Sequence, residues 1–295
     1  MTRRPNGDQP IMLRIGCLHK CSFIIILVAL AVDIGPALGD EPAFTNSIGM
    51  EFVRIPAGSF LMGSPADEPY RGKGEIQHKV TISKPFYMQT TEVTIKQWQK
   101  VMGKPWYHIF MRPNKDGNLP VTRVCQYDIQ KFLSKLNAMG EGTYSLPTEA
   151  QWEYAARAGS TTAYYWGNRI DCSRAMYANA EEGPDNCAEA VERRGLPENS
   201  PAPVKSYAPN AWGLYDMSGN VWEWVQDCWH KRYEGAPDDG SPWGPDSADD
   251  CPRRVVRGGS YVDEPELHFL RSAFRHWMHC SCRDGNVGFR LARDS

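Results

Sequence analysis

No apolar stretch of the chain is long enough to cross a bilayer as a helix. The longest, residues 23–32, is about half of the roughly 20 residues that a spanning helix needs. Arg14 and Lys20 precede it, and the small-x-small pattern at residues 37–39 is typical of signal-peptidase cleavage. We therefore predict a secretory signal peptide at residues 1–39, with an uncleaved N-terminal anchor as the alternative.

A strong charge of either sign is also missing. The 33 basic and 35 acidic side chains give a net charge of −2, which argues against a nucleic-acid-binding surface. Internal repeats and linkers are absent too, so residues 40–295 are expected to form one domain with its own core. We expect a monomer that is secreted or periplasmic and free of the membrane once the signal is cleaved.

Cysteine, in contrast, is abundant. Seven of the nine cysteines lie beyond the predicted signal, and an exported chain with so many thiols is expected to form disulfides and to leave at least one thiol unpaired. Cys228 and Cys251 bracket a loop rich in Gly, Pro and Asp that needs a crosslink to stay closed, so they are the first predicted pair. Cys172 and Cys187 flank a polar loop and are the second.

Three segments carry the signals of helices. Residues 126–138 place their apolar side chains on one face, and residues 94–102 end at a glycine. The clearest helix begins after Thr148, where the following Gln151 completes a capping box, and it stops before Gly159.

The remaining pattern consists of short extended pieces among turns. The predicted strands are residues 52–55, 60–62, 79–82, 86–88, 255–257 and 288–291. With 26 Gly, 22 Pro and 10 Trp, the composition predicts an α+β fold, a single compact domain with little regular secondary structure and many ordered loops. Such a domain needs further stabilising interactions, and bound ions, disulfides and buried Trp side chains can supply them.

The segment GLYDMSGNVWEW at residues 213–224 concentrates groups that bind cations. Its glycines let the backbone turn so that main-chain carbonyls point inward. The candidate ligands are the carboxylates of Asp216 and Glu223, the amide oxygen of Asn220 and the carbonyls of Gly219 and Val221. Oxygen ligands of this kind suit Ca²⁺, so we predict a structural calcium site, and the alternative is a hydrogen-bonded turn without metal.

The same segment is one of several that resemble a known family. Together with LPTEAQWEYAAR at 146–157, RVVRGGSY at 254–261, NVGFRLAR at 286–293 and GMEFVRIPAGSF at 49–60, it resembles the formylglycine-generating enzyme, or sulfatase-modifying factor, family. The resemblance covers nearly all of the chain after its signal. It implies the C-type-lectin-like architecture of that family, the formylglycine-generating enzyme fold.

The resemblance also implies roles for individual residues. A second cation site would use Asn179 and the carbonyl of Ala180, and the stretch after Ala180 departs from the family pattern and identifies no further ligand. Arg271, Arg275 and Arg290 match arginines of the family, and we expect them to hold the fold together rather than to contact a substrate.

Enzymes of this family oxidise a substrate cysteine with O₂ at two thiolates that hold Cu(I). One of these cysteines ends the strand after the Gly-Gly-Ser-Tyr motif, and the other follows it closely. Here the two positions are Asp263 and His268 in one register, and Val262 and Leu267 in the other. Neither register contains a thiol, so copper is not expected.

Two cysteines on the following loop do not replace the missing pair. Cys280 and Cys282 are separated by a single residue, which suits neither a mutual disulfide nor the near-linear geometry that Cu(I) prefers with thiolates. A surface loop with oxidisable thiols is the simpler interpretation.

The pattern therefore predicts a calcium-stabilised binding module. Its groove, at the family's active site, would take a protein, peptide or glycan ligand against flat Trp and Tyr side chains. Two alternatives keep an enzymatic role. One is oxidation of a protein cysteine to formylglycine, and the other is a metal centre for Fe(II), Mn or Zn at Asp263 and His268, with Ser260 as a further candidate catalytic residue.

Overall fold

The computed structural model describes residues 42–103, 117–179, 187–245, 249–265 and 268–295. Within these residues strands outnumber helices, and most elements are short. In chain order they are β1 (Ala43–Thr45), β2 (Glu51–Ile55), β3 (Gly58–Met62), β4 (His78–Ile82), β5 (Phe86–Gln89), α1 (Ile95–Met102), α2 (Gln126–Asn137), β6 (Tyr144–Ser145), α3 (Glu149–Arg157), α4 (Ala188–Arg193), β7 (Trp222–Cys228), β8 (Arg253–Arg257), β9 (His276–His279), β10 (Val287–Gly288) and β11 (Ala292–Asp294). The predicted α+β class is confirmed.

The boundaries of the predicted helices follow from local side-chain chemistry. The hydroxyls of Thr94 and Thr148 accept hydrogen bonds from backbone N–H groups of the first turn, at 3.2 and 3.0 Å, and so cap α1 and α3. Helix α3 ends because Ala158 adopts a left-handed conformation with φ of 45°. The short helix α4 was not predicted, because the sequence around it has no periodic apolar pattern.

The strands form three sheets. The largest has the order β1-β2-β5-β11-β6, the second has the order β10-β7-β8-β9, and β3 pairs with β4. Neighbouring strands are antiparallel except for β10 and β7. The largest sheet contains both β1 and β11, so the two ends of the described chain share one sheet.

One predicted strand and one predicted loop have different bounds in the structure. Residues 288–291 do not form one strand, because the chain leaves the second sheet after β10 and buries Phe289 and Leu291 in the core before β11 joins the first sheet. The loop predicted at residues 213–224 ends earlier than expected, since Trp222 already begins β7. That strand is buried on both faces, so its sequence lacks the alternation that marks a half-exposed strand.

Aromatic side chains fill much of the interior. Trp98 stacks on Phe132 with ring centroids 5.0 Å apart, and Phe289 meets Phe132 edge-on at 5.5 Å. A second cluster surrounds α3, with Trp152 fully buried. Packing of large rings between loops thus takes the place of long periodic elements.

The structure also contains the two disulfides that the sequence predicts. The S–S distance is 1.98 Å in Cys172–Cys187 and 2.04 Å in Cys228–Cys251. None of the helices in the described residues combines the length and the hydropathy that a bilayer crossing requires.

Candidate functional site

Three buried carboxylates interact at the predicted calcium segment. Glu92 follows β5, Asp216 precedes β7, and Glu223 lies within β7. Arg290 donates to both carboxylate oxygens of Glu223 at 2.7 Å. The indole N–H of Trp152 donates to the same carboxylate at 2.8 Å, so Glu223 is fully engaged by protein donors.

Burial, with neighbouring negative charge, shifts the pKa values of the other two carboxyls. Burial, followed by the charge of Asp216, raises the pKa of Glu92 well above its usual value. Burial also raises the pKa of Asp216 to about 6, and the charge of Glu223 adds to the effect. A divalent cation would offset both shifts, because it favours the ionised carboxylates.

The uncommitted atoms are the ones that an oxygen-liganded cation requires. Glu92 Oε2 is buried and has no hydrogen-bond partner in the part of the chain that the structure describes. Asp216 Oδ2 accepts from the backbone N–H of Lys205 at 3.0 Å, and the Asp216 backbone has a left-handed φ of 57°. Carboxylate oxygens, like the carbonyls of Gly219 and Val221 that the sequence predicts as ligands, are the type of donor that Ca²⁺ prefers.

The tight turn at Gly219 requires glycine. Its φ is 82°, and a Cβ there would lie 2.3 Å from the carbonyl oxygen of Met176. Across the described ranges no three Asp, Glu, His or Cys side chains already stand together as a metal site. A cation here therefore depends on main-chain carbonyls as well as on carboxylates.

Asn220 joins two other segments through its amide. Its Oδ1 accepts from the backbone N–H of Ala202, and its Nδ2 donates to Glu92 Oε1, both at 2.9 Å. Asn220 thus orients Glu92, and its role as an ion ligand stays a prediction. Sequence reasoning missed Glu92, whose one signal is an acidic residue in an otherwise uncharged stretch just before α1.

The predicted second cation site centres on Asn179, which is fully buried. Its Nδ2 donates to the carbonyls of Ser200 at 2.9 Å and Pro197 at 3.3 Å, while its Oδ1 has no partner among the described residues. The other predicted ligand, Ala180, lies outside the described residues. Through these contacts Asn179 links the loop closed by the Cys172–Cys187 disulfide to residues 197–200, which follow α4.

Ser260 and Asp263 form a closed polar network after β8. The backbone N–H and the hydroxyl of Ser260 donate to Asp263 Oδ2 at 2.7 and 2.9 Å. Asn286 donates to the Ser260 hydroxyl at 3.1 Å, and the Trp222 side chain donates to Asp263. Burial raises the pKa of Asp263 to about 6.

His268 has a different environment. Its ring stacks on that of Tyr70, with centroids 3.6 Å apart, and both residues have left-handed backbones, with φ of 50° and 62°. Leu267, the alternative position for the second family cysteine, lies outside the described residues, and Val262 is 43% exposed.

The free thiols of the described residues lie around the start of α2, where the backbone N–H of Gln126 donates to the Cys280 carbonyl at 3.0 Å. Cys125 lies at the start of α2 with its sulfur 3.1 Å from Asp128 Oδ2, and the sulfur of Cys280 is 3.5 Å from the Tyr127 hydroxyl. Cys282 is half-buried. Burial raises the pKa of the Cys125 and Cys282 thiols, which disfavours the thiolates that bind copper.

The family arginines are all engaged in buried ion pairs. Arg271 donates to Glu68 at 2.6 Å and to Glu75 at 2.8 Å. Arg275 donates to both oxygens of Glu149, at 2.7 and 2.6 Å. Such paired hydrogen bonds fix the orientation of the loops that carry them, which agrees with a role in holding the fold together.

Comparison with known proteins places these features in a family. The family model described as "Sulfatase-modifying factor enzyme 1-like domain" matches residues 41–295. A Formylglycine-generating enzyme of Streptomyces coelicolor is 30% identical over 90% of this chain and 95% of its own length. The Inactive C-alpha-formylglycine-generating enzyme 2 of Mus musculus is 28% identical over 81% of this chain and 84% of its own.

Two solved structures share the fold over most of the chain. PvdO from Pseudomonas aeruginosa has a TM-score of 0.71 and 31% identity, covering 86% of this chain and 98% of its own. Treponema denticola variable protein 1 has a TM-score of 0.67 and 25% identity over the same shares.

Proposed function

This protein belongs to the family of the sulfatase-modifying factor enzyme 1-like domain, and we propose that it is an extracytoplasmic binding module stabilised by calcium, without copper-dependent cysteine oxidation. Its ligand is a peptide or a glycan, bound at the surface around residues 260–268. The two disulfides favour an oxidising compartment.

The observation that carries this proposal is the network at Asp263. Cysteine oxidation by the family's chemistry needs two thiolates that reach one Cu(I) ion after the Gly-Gly-Ser-Tyr motif. Asp263 is instead tied to Ser260 and Trp222, and His268 stacks on Tyr70. A carboxylate is a hard ligand that suits Cu(I) poorly, and a single imidazole does not replace two thiolates.

The calcium part of the proposal rests on the buried carboxylates. Glu92 and Asp216 have raised pKa values, Glu92 Oε2 has no partner in the described residues, and Arg290 is already paired with Glu223. Bound Ca²⁺ would supply the missing positive charge and lock the turn at Gly219 to the start of β7. Its role is structural, and no chemical step depends on it.

The binding part rests on the surface beside the network. Tyr70 is 71% exposed and Val262 is 43% exposed, and Glu264 adds an exposed carboxylate. Tyr70 and His268 both hold left-handed backbones, which is costly for such residues and recurs at functional sites. A flat aromatic surface with polar neighbours suits a peptide or glycan.

The oxidation test is direct. Purified mature protein is incubated with Cu(I), O₂ and a Cys-x-Pro-x-Arg peptide, with the Streptomyces coelicolor enzyme as the positive control, and the peptide mass is read. We expect the cysteine to survive with this protein and to become an aldehyde with the control. Aldehyde formation by this protein would refute the proposal.

A second measurement separates the binding module from a different metal centre. Metal content is determined after dialysis against calcium, in the wild type and in His268→Ala. We expect calcium in both proteins. Stoichiometric iron, manganese or zinc that disappears in His268→Ala would support the metal centre at Asp263 and His268 instead.

A further inference from the structure

A cavity of about 510 Å³ opens between strand β3, the end of helix α3 and the loop before β7. Its volume lies within the range usual for small-molecule sites. It is lined by Ser59, Phe60, Leu61, Pro65, Gln77, Tyr154, Arg157, Gly159, Ser160, Thr161 and Trp212. None of these residues belongs to the carboxylate site or to the surface around residues 260–268.

Aromatic rings form the walls of this cavity. The ring centroids of Phe60 and Tyr154 are 5.1 Å apart, and those of Tyr154 and Trp212 are 4.8 Å apart at a steep interplanar angle. Leu61 stands at the cavity with 54% of its surface exposed. The cavity therefore offers apolar faces that an isolated hydrophobic core would have covered.

Polar groups without protein partners line the same space. The Tyr154 hydroxyl makes no hydrogen bond to protein within the described ranges, and partial burial raises its pKa. A Cβ at Gly58 would come within 2.4 Å of that hydroxyl oxygen, so glycine leaves room for it. The Gln77 amide and the Thr161 hydroxyl are exposed and likewise uncommitted in the described structure. These three groups can donate hydrogen bonds to a ligand in the cavity or accept them from it.

Free charge is missing from the lining. Its charged member, Arg157, donates to Glu153 at 2.9 Å, to the Gly63 carbonyl at 2.9 Å and to the Thr162 carbonyl at 3.2 Å. An anionic or cationic ligand would thus find no uncommitted counter-charge there. The chemistry that remains is apolar faces combined with neutral donors and acceptors.

We propose that this cavity binds a neutral sugar ring. A pyranose has an apolar C–H face for the aromatic walls and hydroxyls that both donate and accept, which matches Tyr154, Gln77 and Thr161. The site is separate from the calcium carboxylates, so its occupancy does not need Ca²⁺. It is also independent of the surface proposed to bind a peptide or glycan near His268.

The test uses saturation-transfer-difference NMR on the full mature protein. The probes are methyl β-D-glucopyranoside, methyl α-D-mannopyranoside and N-acetyl-D-glucosamine, each measured in EGTA and in calcium. We expect saturation transfer to the ring C–H protons of at least one sugar, with millimolar affinity in both buffers. Absence of transfer from all three would overturn the proposal, and so would preferred binding of N-acetylphenylalanine amide, which would identify a pocket for a peptide side chain.

Matched variants locate the binding. Tyr154→Phe keeps the ring and removes the hydroxyl, and Thr161→Val changes an exposed position that bears little on folding. Each is expected to weaken sugar binding roughly threefold to tenfold, the usual effect of one hydrogen bond. Trp277→Phe, outside the cavity, is the control and should bind as the wild type does. Unchanged affinity in both cavity variants would overturn the assignment, whereas loss caused by Tyr70→Ala would place the sugar at the other surface.

Discussion

The buried carboxylates at Glu92, Asp216 and Glu223 predict a coupling between pH, calcium and stability that one substitution separates. The pKa of Asp216 rises from 3.8 to about 6 in the folded protein. At 1.36 kcal/mol for each pH unit, ionising this carboxyl costs the folded state about 3 kcal/mol more than the unfolded chain. The pKa of Glu92 is raised as well, so the total cost is larger.

The direction in which stability changes with pH follows from the number of protons that the folded and unfolded states bind. Between the unfolded pKa of 3.8 and the folded pKa of about 6, the folded state holds a proton that the unfolded chain has lost. The free energy of unfolding therefore falls as the pH rises through this window and stays lower above it. Bound calcium favours the ionised carboxylates and should reverse the loss. At a concentration one hundred times its dissociation constant it would add about 2.7 kcal/mol.

The substitution Glu92→Gln keeps the shape of the side chain and an acceptor for Asn220 but removes one negative charge. Without calcium the variant should be at least as stable as the wild type at neutral pH, because a repelled charge is gone. With calcium it should gain less, because an anionic ligand is missing. Glu189→Gln, which removes a carboxylate that is 80% exposed, is the control and should leave the calcium response unchanged.

Thermal unfolding by circular dichroism, in EGTA and in millimolar calcium from about pH 5 to about pH 8, measures these terms. For the wild type we expect calcium to raise Tm by roughly 5 to 10 °C at the upper end of this range and by less at the lower end. A Tm that is the same in EGTA and in calcium at every pH would refute the calcium site. A full calcium shift in Glu92→Gln would exclude Glu92 as a ligand.

Two further predictions concern a disulfide and a buried set of ion pairs that stabilise the fold. Replacing Cys228 and Cys251 together by Ser should lower the free energy of unfolding by about 3 kcal/mol, because the crosslink closes a long loop, and an unchanged denaturation midpoint in urea would contradict this. Arg271→Met should cost about 3 to 5 kcal/mol by stranding two buried glutamates. The matched loss of exposed Arg193, in Arg193→Met, should cost under about 1 kcal/mol, and equal losses in the two variants would show that burial of the pair is not what matters.

Local chemistry made the helices predictable from sequence. The capping box at Thr148 and the glycine that follows residue 102 each lie within one turn of the helix end that they mark, so the chain alone identifies them. The disulfide pairs were also accessible, because each pair flanks one loop. In all of these cases the partners are close in sequence.

Partners that are distant in sequence were not accessible. Glu92 meets Asn220, which is 128 residues away in sequence, and no periodic or motif signal links them. The polar network of Asp263 depends on Asn286 and Trp222, which approach it through the parallel pairing of β10 with β7. Sequence spacing placed Asp263 and His268 in the family's catalytic positions but did not reveal their separate partners.

The buried ion pairs explain why the sequence resembles the family strongly although the family's two copper-binding cysteines are missing. Arg290 of the NVGFRLAR segment pairs with Glu223 of GLYDMSGNVWEW. Arg257 of RVVRGGSY pairs with Glu153 of LPTEAQWEYAAR, and Trp152 of that segment also donates to Glu223.

Four of the five segments that carry the resemblance are therefore partners of one another in the interior, and removing one member would strand a buried charge. Positions 262 and 263 take no part in these pairs, and neither does His268. A chain can lose the thiols there without disturbing a single one of the pairs. The motifs consequently report that the scaffold is intact, and the activity has to be argued from the few residues that follow Ser260.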